Sequence, residues 1–227
     1  AAFMQAVWIG LVNVAFTVVA MLTIDKWGRK PLLIIGLCGV ILSMSVCAYG
    51  FKQATYQLDS EDIAELRTTD NRVAAKLTTI ENETFYSDVA FKQTLRDNLT
   101  EVEYDALQQQ LLNSSITMNA PLVLFGIIAF VASFAMSLGP VMWAMLAEIF
   151  PNQARALAIS LVGVVNSLTS FLVQLVFPWE LMNLGAATTF AIYGAFALIS
   201  LFLVVKLFPE TKGRTLEQIA AELAPAT

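Results

Sequence analysis

The chain has 227 residues, of which 57% are apolar and only 14% charged, against about 45–50% and about 25% in an average soluble domain. Eighteen charged residues fall between Lys52 and Asn119, six basic and twelve acidic, so the rest of the chain is nearly neutral. A water-soluble globule is excluded, and no basic field exists to hold nucleic acid. Histidine is absent, which removes His-based triads and Cys/His metal clusters. Cys38 and Cys47 lie nine positions apart in one apolar stretch, roughly 13 Å along a helix and too far for a mutual disulfide. The reading is of an all-α membrane protein, a multi-pass helical bundle with no enzyme chemistry, cofactor or metal expected.

Five stretches are long and apolar enough to cross about 30 Å of hydrocarbon as helices. The first, Phe3–Ile24, lacks the basic start of a signal peptide and is followed by further spans, so it is expected to be a membrane helix. Gly10, Asn13, Thr17 and Ala20 share one of its faces. The link Asp25–Lys30 carries Lys26, Arg29 and Lys30, and the second span is Pro31–Phe51.

The polar segment 52–119 reads as short helices. Ile63, Leu66, Val73, Leu77 and Ile80 form a helical stripe interrupted at Asp70, and Phe91, Leu95 and Leu99 form another. Thr100-Glu101-Val102-Glu103 has the spacing of a capping box opening a third helix through Leu107 and Leu111. Three Asn-x-Ser/Thr sequons occur there, at Asn82, Asn98 and Asn113, an excess over chance too small to establish glycosylation.

The third span, Pro121–Leu146, contains Gly139-Pro140, where proline removes a backbone hydrogen bond and is expected to break or kink the helix. Trp143 follows one turn later. The fourth, Leu157–Phe177, places Ser160, Gly163, Ser167, Ser170 and Gln174 on one face with Asn166 beside it. Such a face serves helix packing or lines a cavity, and a mid-span carboxamide favours the cavity because it both donates to and accepts from hydroxyls. The fifth is Leu184–Phe208, and Pro31, Pro121, Pro151, Pro178 and Pro209 sit at or beside the predicted ends, with Pro225 in the tail. Basic residues fall in alternate links, with Arg155 in the third and Lys206, Lys212 and Arg214 around the tail, while link 178–183 carries only Glu180. The positive-inside bias puts the first set in the cytoplasm and residues 52–120 outside. The expected divisions are 1–51, 52–120, 121–208 and a cytoplasmic tail, 209–227.

Three pieces go beyond a generic membrane protein. Asp25-Lys26-Trp27-Gly28-Arg29-Lys30 resembles the Asp-x-x-Gly-Arg-Arg/Lys signature of the major facilitator superfamily. Gly139-Pro140-Val141-Met142-Trp143, with Glu148 and Arg155 seven apart, resembles its sugar-porter branch, as does Pro209-Glu210-Thr211-Lys212-Gly213-Arg214. The resemblance spans nearly the whole chain except 52–119. It implies a major-facilitator-type C-terminal half with five transmembrane helices and an extracytoplasmic helical insertion, lacking that half's first helix, with the N-terminal half as the missing partner.

The function so implied is transport of a monosaccharide, hexose or pentose, across a plasma or bacterial inner membrane by alternating access, as uniport or proton symport. A transporter-like nutrient sensor and a polyol porter are the alternatives. The resemblance assigns sugar contacts to Asn13, Phe134, Gly139, Pro140, Trp143 and Asn166, although Ser167 stands where relatives often carry a second tryptophan and Ala156 where Gly is usual. It assigns a cytoplasmic gate to Asp25, Gly28, Arg29, Lys30, Glu148, Arg155 and Glu210.

Overall fold

The computed structural model describes residues 2–150 and 152–213; Pro151, Arg214 and Pro225, and most of the expected tail, lie outside them. Five membrane-length helical segments are present among the described residues. They are α1 (Ala2–Trp27), α2 (Arg29–Lys52), the pair α7 (Ala120–Met136) and α8 (Leu138–Ile149), α9 (Arg155–Asn183) and α10 (Ala186–Leu207). Between α2 and α7 lie α3 (Ser60–Thr69), α4 (Asn71–Leu77), a 3₁₀ turn at Thr78–Ile80, α5 (Asp88–Asn98) and α6 (Glu101–Ser115). Strands β1 (Thr55–Tyr56) and β2 (Ile116–Thr117) pair antiparallel, with Thr55 opposite Thr117 and Tyr56 opposite Ile116. The chain divides into two compact units: Ala1–Ser45, Leu124–Leu175 and Ala191–Thr227 form one, and Val46–Val123 and Val176–Phe190 form the other.

In the first unit Leu32 and Leu33 of α2 meet Val141 and Met145 of α8 in a closed apolar cluster, flanked by Ile24, Ile149, Val204 and Phe208. Two glycines let α2 approach the end of α7. A Cβ on Gly36 would fall 1.7 Å from Ser137 Oγ, and one on Gly39 would fall 2.2 Å from Ser133 Oγ. Small residues at such a contact let backbones approach where lipid offers no hydrophobic drive.

The break expected at Gly139-Pro140 occurs three residues upstream of the proline, at Ser137, whose φ of −132° and ψ of −78° are not helical. Proline's ring collides with the carbonyl four residues earlier, which is Met136, the last residue of α7. Pro140 itself sits in the first turn of α8, where a missing N–H costs little. Helical bonding resumes with Val141 N donating to Ser137 O at 2.9 Å.

Pro178 departs from expectation. The sequence places it at a helix end, but α9 continues through it to Asn183, so residues 178–183 are helix rather than a link. The turn beyond the proline is held by other donors: Asn183 Nδ2 to Trp179 O at 2.8 Å, Leu184 N to Glu180 O at 2.8 Å, and Lys92 Nζ to Leu181 O at 2.7 Å.

The second unit has its own core, centred on Phe91 and Leu95 of α5 with Ile63, Leu77, Leu111 and Tyr56. Phe91 stacks on Tyr56 at 5.7 Å and meets Phe85 at 5.5 Å. Each such side chain withdrawn from water contributes about 1.5–3 kcal/mol. Asp70 ends α3 and caps α4, accepting from Arg72 N and Val73 N, which is why the apolar stripe is interrupted there. Thr100 and Glu103 form the reciprocal capping box at the start of α6, and Asp59 with Asp62 forms a second at α3. Lys76 Nζ pairs with Glu103 at 2.6 Å and holds that carboxyl far below the usual range, at about 2. Asp88 and Lys92 of α5 pair at 3.0 Å and reach both ends of the α9–α10 turn: Asp88 accepts from Ala186 N at 3.2 Å while Lys92 donates to Leu181 O. A carboxylate at a helix start and an ammonium at a helix end both suit the backbone dipoles.

Candidate functional site

Two groups of side chains in the first unit carry several of the residues that the sequence points to. The first faces a broad cavity of about 760 Å³ between α8 and α9, lined by Trp143, Ser160, Gly163, Val164, Asn166, Ser167 and Leu168. Trp143 of α8 lines it together with the small and polar residues of α9, and 40% of the tryptophan remains open. Trp143 and Asn166 are thus brought together. Asn13, exposed on α1, and Phe134, on α7, do not line this cavity, although α1 packs beside α8. Phe134 instead stacks obliquely on Phe130 at 6.2 Å, and its ring lies 3.9 Å from where a Cβ on Gly139 would project.

A tryptophan face opposite a carboxamide and two hydroxyls is chemically specific. The indole covers C–H groups and donates one hydrogen bond, and the amide and serines supply donors and acceptors without a net charge. Such a surface suits a neutral polyhydroxylated molecule.

The second group is a charge cluster at the junction of α1, α2, α8 and the segment after α10. Arg29 Nη2 and Nε both donate to Glu148 Oε1, at 2.8 and 3.1 Å, and Nη1 donates to Asp25 at 3.1 Å. Arg29 and Glu148 side chains are 17% and 28% exposed, whereas Asp25 is 79% exposed. Glu148 Oε2 accepts from the buried Thr211 hydroxyl at 2.6 Å.

Glu210 does something different from pairing with a cation. Its carboxylate accepts from the backbone N–H groups of Arg29 and Lys30, at 3.1 and 3.2 Å, and so caps the start of α2 from a distant part of the chain. The residue before that start, Gly28, has φ +97°, and a Cβ there would fall 2.8 to 3.0 Å from the Glu210 carboxylate. Only glycine suits both demands. Lys30 Nζ donates to Val205 O at 2.9 Å, and Lys212 Nζ donates to Lys26 O.

Arg155 stands outside the ion pairs formed among the described residues. Its Nε donates to Phe150 O at 3.3 Å, and its Nη2 is buried with no hydrogen-bond partner. Thr211 was not singled out by sequence beyond its place in the Pro-Glu-Thr-Lys-Gly run, because a threonine shows no charge pattern from which a partner 63 residues away can be read.

The chain as a whole is similar to known proteins. The family model described as "Sugar (and other) transporter" matches residues 1–65 and 107–223. The D-xylose-proton symporter of Escherichia coli (strain K12) is 28% identical over 100% of this chain and 34% of its own length. The facilitated glucose transporter member 10 of solute carrier family 2 from Xenopus tropicalis is 25% identical over 96% of this chain and 43% of its own. A solved structure of the proton:xylose symporter XylE bound to 6-bromo-6-deoxy-D-glucose matches with a TM-score of 0.65 at 26% identity, covering 98% of this chain and 35% of that one. The chain therefore spans about a third to two fifths of the length of these relatives.

Proposed function

The chain belongs to the sugar (and other) transporter family, a multi-pass membrane family with the major facilitator fold, and we propose that it serves to carry a monosaccharide across a membrane by alternating access. In this reading it supplies the second-half helices of a longer transporter whose other half completes the path. Substrate is a hexose or pentose held against the α8–α9 face, and no covalent step is involved. The membrane is a plasma or bacterial inner membrane, with residues 52–120 on the outer side and the Arg29–Glu148 cluster on the cytoplasmic side.

The observation that carries the reading is the placement of Trp143 across one cavity from Asn166, Ser160 and Ser167. Asn13 and Phe134 join the pathway at a distance from that cavity, as contacts made when the halves close. Arg29, Asp25, Glu148, Gly28, Lys30, Glu210 and Thr211 hold the cytoplasmic end together while the site faces outward, with Arg155 beside them.

The test is sugar uptake by the intact protein in proteoliposomes together with binding of D-xylose and D-glucose. Trp143→Ala is expected to weaken binding by about 1–3 kcal/mol through lost stacking and a lost donor. Uptake at unchanged affinity with normal membrane insertion would return Trp143 to an interfacial role.

A further inference from the structure

The second unit contains a cavity that the transport reading does not use. It measures about 550 Å³ and lies between α6, the β1–β2 pair and the α9–α10 turn. One wall is aromatic: Phe51 and Phe190 stack at 5.4 Å with their rings 2° from parallel. The lining also takes in Gln108, Gln109 and Asn113 of α6. Gln109 and Asn113 are exposed and Gln108 is half-buried, and none of the three amides hydrogen-bonds through its side chain to another described residue, so each can exchange water for a ligand group.

The charges at the cavity edge are already satisfied. Asp88 is committed to Lys92 and to Ala186 N, and Lys92 also to Leu181 O, so the pair offers an incoming molecule no net field. Much of the remaining lining is apolar, including Leu112, Ile116, Met118, Leu181 and Met182, and Tyr56 joins it, 4% exposed, with a hydroxyl that bonds to no described residue. Burial and the nearby Asp88 push its ionisation up to about 12, so it remains a neutral phenol able to donate.

Aromatic and aliphatic lining combined with three amides and a phenol, with no residual charge, suits a neutral molecule that has an apolar face and several hydroxyls. A charged ligand would lack a counter-charge, and a purely apolar one would leave three amides without partners at a cost. We propose that this cavity is a second sugar site, separate from the α8–α9 cavity, which binds a free pyranose between α6 and the α9–α10 turn. This goes beyond the transport reading and stands on different residues.

The test is photo-crosslinking of the intact protein in nanodiscs with a diazirine-bearing glucose analogue, mapped by peptide mass spectrometry. Labelling of residues 108–113 or 177–190 is expected, suppressed by excess D-glucose or D-xylose. Asn113→Trp, which fills the cavity from an exposed helix position, should abolish that label, as should Gln109→Ala in large part. Gln110→Ala, one position away and outside the lining, should leave it intact, and melting temperature checks that all three variants fold. Trp143→Ala should leave this label unchanged, so loss of transport and loss of this site read out separately. Absence of sugar-protected labelling here, or labelling displaced by octyl glucoside but not by free sugar, would overturn the proposal.

Discussion

Arg29 rests two nitrogens on one oxygen of Glu148, while the other oxygen of that carboxylate accepts from Thr211. One acidic side chain thus ties the start of α2 and the segment after α10 to the end of α8. Exposed ion pairs contribute about 0–1 kcal/mol, but this one is mostly screened from water, and hydrogen bonds to charged groups contribute about 1.5–3 kcal/mol. Glu148→Gln keeps the shape, removes the charge and cannot accept from Arg29 and Thr211 together. It is expected to weaken the junction of α2, α8 and the segment after α10 by about 1–3 kcal/mol, roughly tenfold in population per 1.4 kcal/mol. Arg155→Ala should shift the population less, because Arg155 joins no ion pair among the described residues. Distances between spin labels at the α1–α2 and α8–α9 ends of the intact protein check this, and distributions unchanged in Glu148→Gln would leave these charges as topology determinants only.

Gly28 gives a sharper expectation. With φ at +97° and the Glu210 carboxylate 2.8 to 3.0 Å from the site of a Cβ, alanine there meets both backbone strain and a steric push on a capping group. Strain of that kind costs about 1–3 kcal/mol, and loss of a cap about 1 kcal/mol more. Gly28→Ala should lower the melting temperature of the intact protein measurably. Glu210→Gln, which still offers an acceptor oxygen, should lower it less. Equal effects would mean that the carboxylate charge at the α2 start, rather than the close approach, is what matters.

Much of this was legible in sequence because it is local. The stripe interrupted at Asp70 is a helical repeat and the Thr100–Glu103 box a pattern within four residues, and the structure forms both. The long apolar helices follow from composition alone. What sequence could not show is where distant backbone and side chains meet. Glu210 reads as one more gate charge, yet it caps a helix 180 positions away. Pro178 reads as a terminator, yet donors that include Lys92 from another segment carry α9 past it. Trp143 and Asn166 lie on different helices, and neither local pattern shows that both line one cavity.

The polar segment offers a pH test. Glu103 titrates at about 2, below its ordinary 4.5, chiefly because Lys76 hydrogen-bonds it and the Thr100 backbone N–H and hydroxyl add to that. A carboxyl whose folded value is depressed stabilises the fold fully above its unfolded value and loses that contribution as pH falls through the folded one. Helix α6 should therefore weaken between pH about 4.5 and about 2. Amide exchange in residues 101–107 of the intact protein should rise across that window, and Glu103→Gln should flatten the rise. Exchange that increases equally in Glu103→Gln would assign the acid sensitivity to other carboxylates.

The break at Ser137 sets the last expectation. Pro140 lacks the N–H that would donate to Met136 O, and its ring excludes that carbonyl, so α7 stops and α8 restarts out of line. Against a straightened helix stand the contacts of Gly36 and Gly39 with Ser137 and Ser133, which hold α2 close to the broken segment. Pro140→Ala restores the donor and removes the clash, making a continuous helix available at a gain of about 0.5–1.5 kcal/mol from the new hydrogen bond. Straightening would carry Trp143 away from the α9 face on which the transport reading depends. Pro140→Ala is thus expected to raise the melting temperature slightly while sugar affinity and uptake fall severalfold. A variant with normal uptake would show that packing against α2, not the proline, maintains the break and the position of Trp143.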